Sequence, residues 1–78
     1  MNREEAQGRL VQMLMDKVRE DPYPSATQMS LIEQAIPREM LGDYVELLVE
    51  KAAQEDFPSI PMLRRISRVA ASMPRNST

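Results

Sequence analysis

Two groups of side chains in this 78-residue chain have the type and spacing for chemistry. Glu39, Asp43, Glu46 and Glu50 follow one another at intervals of 4, 3 and 4 residues, which sets four carboxylates along one helical face. Such a stripe can hold a divalent cation, work as acid and base, or dock a basic partner. Arg64, Arg65 and Arg68 form the second group, suited to phosphate or to an acidic protein surface. The hydroxyls that stand out are Ser25 and Ser59, each directly after a proline. No histidine is present to take a proton from either, so neither reads as a nucleophile.

The rest of the composition narrows the chemistry further. Cysteine is absent along with histidine, which removes disulfides, thiolate nucleophiles and zinc fingers. There is no glycine-rich phosphate loop and no EF-hand spacing. The helical carboxylates lie opposite an apolar stripe, where water competes for any cation. The chain is therefore expected to be no enzyme and to use no cofactor or metal. Hydrophobic residues at 42% and charged residues at 28% are what a folded globular chain needs, so disorder is not expected. No apolar run is long enough for a membrane span, and Met-Asn-Arg-Glu-Glu does not read as a signal peptide. A cytoplasmic location is expected. Eight arginines against two lysines fit GC-rich coding and a bacterial source. Seven methionines beside three aromatics (Tyr23, Tyr44 and Phe57) predict an adaptable core.

The elements that must position these groups emerge from self-comparison. A shift of 34 residues lays 3–36 on 37–70 without a gap and leaves eight identities. They are Glu5/Glu39, Gly8/Gly42, Val11/Val45, Leu14/Leu48, Lys17/Lys51, Pro24/Pro58, Ser25/Ser59 and Ile32/Ile66. Both glycines and both Pro-Ser corners coincide, which shared helical patterning alone would not produce. Each repeat reads as helix, corner, helix. The spacing predicts helices over about 3–20, 26–35, 37–54 and 60–72. Asn2, Ser25 and Ser59 serve as N-caps, and Pro37 opens the third helix. The rings of Tyr23 and Phe57 are expected to fold back over the following helical turn as hydrophobic staples. A 34-residue period is also that of tetratricopeptide repeats, but that family's later small and aromatic positions fall here on Glu20 and Pro24, or on Gln54 and Pro58. The resemblance fails.

The expected fold is all-α: a single helical domain over 1–73, built as two αα-hairpins with approximate two-fold symmetry, and a flexible tail at 74–78. In the third helix Leu41, Tyr44, Val45, Leu48 and Ala52 are expected to face inward, opposite the carboxylates. In the fourth, Met62, Leu63, Ile66, Ala70 and Met73 are expected inward, opposite the arginines. The first helix carries an apolar arc of about 200°, too wide for one core, so the region of Val11 and Met15 is expected to stay exposed unless a second chain covers it. Gly8 and Gly42 suggest a close crossing of the first and third helices.

Residues 57–78 hold four arginines and no acid, a charge of +4, which leaves −6 on the rest for the net −2. Each charged face has two readings, a solvated surface or a docking site. The function expected is protein–protein interaction without catalysis, with self-association as a homodimer; Arg64, Arg65, Arg68, Glu39, Asp43, Glu46, Glu50, Val11 and Met15 are the candidate contact residues. The alternative is a nucleic-acid-binding regulator that uses the arginine face. The acidic balance, with a pI near 5.0, speaks against it, and the carboxylates make the third helix an unsuitable recognition helix.

Overall fold

The computed structural model describes residues 1–75 and is helical throughout its regular elements. These are α1 (Arg3–Glu20), α2 (Ala26–Ala35), a 3₁₀ turn (Arg38–Met40), α3 (Leu41–Ala53) and α4 (Ile60–Ala71). The chain divides into two compact units, Met1–Met40 and Leu41–Thr78. In the first, α1 packs on α2; in the second, α3 packs on α4. Each unit is thus one αα-hairpin. Of the expected tail at 74–78, residues 76–78 lie outside the described residues.

The helix ends follow from their caps. Asn2 Oδ1 accepts from the Glu5 amide at 2.8 Å and starts α1. Ser25 Oγ accepts from the Gln28 amide at 3.1 Å, and the Ser25 amide donates back to Gln28 Oε1 at 3.3 Å, closing a capping box. Ser59 Oγ accepts from the Met62 amide at 3.2 Å. Methionine there has no oxygen to reach back with, so the second corner keeps half of the device. The two serines share one backbone geometry, φ −75° and ψ 149° at Ser25 against φ −70° and ψ 149° at Ser59. Each of these hydroxyls satisfies an amide that would otherwise lack a partner, so Ser25→Ala and Ser59→Ala should each lose about 1 kcal/mol. Urea melts followed by circular dichroism would show it, with the larger loss at Ser25.

The third helix departs from expectation at its start. Pro37 does not open an α-helix. The Met40 amide donates to the Pro37 carbonyl at 3.0 Å, an i→i+3 bond that makes residues 38–40 a 3₁₀ turn and delays α3 to Leu41. Ile36 before the proline is extended, at φ −65° and ψ 126°, as the clash with a following proline requires.

The two glycines differ in what surrounds them. A methyl group built at Gly8 meets nothing within 4 Å, and one at Gly42 meets only the Met73 Cε at 3.7 Å, ordinary contact with a flexible side chain. Gly8 lies in mid-helix with negative φ, so it costs conformational entropy without any local return. Gly8→Ala should therefore stabilise the chain by about 0.5–1 kcal/mol, read as a higher urea midpoint at unchanged slope.

The staples also fail. Tyr23 is 82% exposed and Phe57 92%. A staple uses the residue immediately before the cap, and that position is Pro24 or Pro58, both half-buried. The ring one place earlier stands outside the turn. In the first corner the Asp21 carboxylate also accepts from the Tyr23 amide at 2.9 Å, a local turn that spends the backbone before the ring can fold inward.

The first unit buries Val11, Leu14, Met15 and Val18 of α1 with Met29 and Ile32 of α2. The second buries Leu41, Tyr44, Leu47, Leu48 and Ala52 of α3 with Val69 of α4. Val11 and Met15, expected as an exposed edge, are 0% and 2% exposed within the single chain. The wide apolar arc of α1 does show on the surface, but on its other flank, at Leu10 and Met13.

Candidate interaction face

The face of α4 is built by its own periodicity. Val69 is buried, while Met62, Arg65 and Ile66 are half-buried. Leu63, Ala70 and Met73, expected inward, are exposed. At about 100° per residue, the covered face is rotated by roughly half a residue step from the one expected, toward Val69 and Arg65. That rotation has two consequences. It draws Arg65 away from the solvent-facing arginines and toward the core edge. It also pushes an apolar flank into water: Ile60 is 57% exposed and Leu63 43%. Phe57, in the corner ahead of the Ser59 cap, is exposed as well, so three large apolar side chains stand out over this short stretch.

Arg64 and Arg68 are exposed and lie one helical turn apart, so they form a basic edge beside Ile60 and Leu63. Arg65 and Arg68 both interact with other groups of the chain. No acidic residue occurs anywhere in 57–78. Long arginine stems can cover neighbouring apolar surface while the guanidinium stays wet, and the edge therefore suits a mixed apolar and charged contact.

On α3 the outward residues are Asp43, Glu46, Val49, Glu50 and Ala53, all exposed. Val49 is an exposed apolar residue flanking the carboxylates. Val45, expected inward, is only half-buried, and Leu47 is buried in its place. Glu39 does not belong to this helix: it sits exposed on the 3₁₀ turn of the first unit. The stripe on α3 itself thus consists of three carboxylates, with the delayed helix start as the cause.

A cavity of about 340 Å³ opens in the first unit, lined by Glu4, Gln7, Ala35, Ile36, Pro37, Arg38 and Glu39. It combines two carboxylates, an amide and a guanidinium with the apolar link into the 3₁₀ turn. Nothing in the sequence pointed to it, because it joins the first turns of α1 to residues about thirty positions later. Among the described residues, no three His, Cys, Asp or Glu side chains come together in a group able to hold a metal ion. Among them too, no helix is long and apolar enough to cross a membrane.

Of the sequence-derived candidates, Arg64, Arg68, Asp43, Glu46 and Glu50 are presented to solvent, Arg65 is partly withdrawn, and Val11 and Met15 are buried. The residues that sequence reasoning missed are Phe57, Ile60 and Leu63. Their signal was available in part: Ile60 lies about 160° round the helix from Met62, too far to share its face. Comparison with protein family models, with characterised proteins and with solved structures finds no match to this chain.

Proposed function

We propose that the protein is a small non-catalytic interaction module that engages a protein partner through the exposed flank of α4. The observation that carries this reading is the run Phe57, Ile60 and Leu63, exposed beside the basic edge of Arg64 and Arg68. Ile60 and Leu63 on one helical flank, with Phe57 in the corner just ahead of the cap, are a costly surface in water unless something covers them, and aromatic residues with arginine are types enriched in protein contacts. The apolar run also weighs against a phosphate backbone as the primary partner, since it would stay wet there while only the arginines gained contacts.

The test is site-specific photo-cross-linking in the native host, with the cross-linking residue at position 63 and, as a control, at exposed position 12 of α1. A discrete protein adduct from position 63 and none from position 12 is the expected result. The second reading, nucleic-acid binding, draws on the acid-free stretch around Arg64 and Arg68. It predicts a low-salt gel shift with generic DNA that Arg64→Glu/Arg68→Glu removes, and no protein adduct at position 63.

A further inference from the structure

We infer that the occupant of the α4 flank is the outward face of α3 on a second copy of the chain. This rests on the reading of α4 as an interaction face and names what covers it. Both faces belong to the same unit, and they complement each other in sign and in spacing. Arg64 and Arg68 stand one turn apart on α4, as Glu46 and Glu50 do on α3, so two guanidinium–carboxylate pairs form in a single register. The apolar parts match as well. Ile60 and Leu63 border the arginines, while exposed Val49 and Ala53 border the carboxylates.

The division of labour follows from magnitudes. Exposed ion pairs give little affinity by themselves, so the burial of Ile60, Leu63 and Val49 holds the copies together, and the charges select the face and the register. A pairing of α4 with α4 would bring arginine against arginine, and α3 with α3 carboxylate against carboxylate. The two like pairings are repulsive, which leaves the mixed pairing. If the two mixed contacts close on each other the product is a dimer; if they do not, copies add head to tail.

Sedimentation across the micromolar range tests the inference on the whole chain. The wild type is expected to exceed the 8.9 kDa monomer mass and to fall toward it as ionic strength rises. Arg64→Glu/Arg68→Glu and Glu46→Arg/Glu50→Arg are each expected to sediment as monomers, because each variant carries one sign on both faces. An equimolar mixture of the two is expected to associate again, since every α3 then finds an oppositely charged α4. Leu63→Ser, which alters no charge, is expected to weaken association at least tenfold, and far-ultraviolet circular dichroism establishes that each variant is folded. A monomeric wild type, or association untouched by both reversals and by Leu63→Ser, overturns the inference. A cross-link from position 63 to a different protein, with a monomeric wild type, overturns it while supporting the interaction reading on which it rests.

Discussion

Tyr44→Ala is expected to remove much or all of the stability of the fold. Tyr44 is the largest of the fully buried side chains, with no exposed surface at all. Truncating a buried aromatic to alanine costs about 3–5 kcal/mol, through lost burial and the cavity left behind. A chain of this length has about 4–12 kcal/mol of stability in total, so the loss consumes much or all of it. The hydroxyl adds a second component. Among the described residues no fully buried side-chain oxygen or nitrogen lacks a hydrogen-bond partner, and Tyr44 makes an interaction of its own. Tyr44→Phe keeps the ring and strands that partner, which should cost about 1–2 kcal/mol. Far-ultraviolet circular dichroism and urea melts separate the two: collapse of the helical signal for alanine, a lowered midpoint for phenylalanine. A Tyr44→Ala variant with a wild-type midpoint would mean that the ring packs loosely.

The corresponding result in the first unit comes from Ile32. It is the β-branched residue of α2 with no exposed surface. Ile32→Ala should lose about 2–5 kcal/mol and Ile32→Val about 0.5–1.5 kcal/mol, the ratio expected when each missing carbon leaves an unfilled space. The pair also tests how far a methionine-rich core adapts. Met15 and Met29 are buried in the same unit, and a flexible thioether can swing into a gap. Losses near the bottom of both ranges would show that the core collapses around the cavity. Losses near the top would show that α1 and α2 hold it open. Leu31, the residue just before Ile32 in α2, is exposed, and Leu31→Ala should change the stability by less than about 0.5 kcal/mol.

The two hairpin faces have a shared cost as well as a shared use. Phe57, Ile60 and Leu63 are exposed in the isolated chain, and an apolar flank of that kind limits solubility unless charge surrounds it. Arg64 and Arg68 supply the charge on α4, and Asp43, Glu46 and Glu50 supply it on α3. Substitutions that neutralise either set should therefore promote precipitation before they affect the fold.

Local signals told most of the story of the backbone. The N-caps Asn2, Ser25 and Ser59, the last two each directly after a proline, delimit α1, α2 and α4 to within a residue of where the structure has them, because capping is decided by atoms three residues apart. The all-helical class and the pairing into two hairpins follow from the same periodicity and from short corners. The exception, the 3₁₀ turn after Pro37, is also local, but two geometries compete there within one turn and composition does not distinguish them.

What the sequence could not determine is which flank of each helix is covered. An amphipathic helix states the direction of its apolar face only to within several tens of degrees, and in α1 and α4 the apolar arc is broader than a single contact hides. Packing alone chose to bury Val11 and Met15 while leaving Leu10 and Met13 out, and to bury Val69 while exposing Leu63. The same choice drew Arg65 inward and left Arg64 and Arg68 as the edge of an apolar run. The charges at 43, 46, 50, 64 and 68 were legible as candidates from their spacing. That they border exposed Val49 on one helix and exposed Ile60 and Leu63 on the other was a decision of the tertiary structure. Burial depends on what each side chain meets across space, and a periodic pattern along one helix carries no record of that.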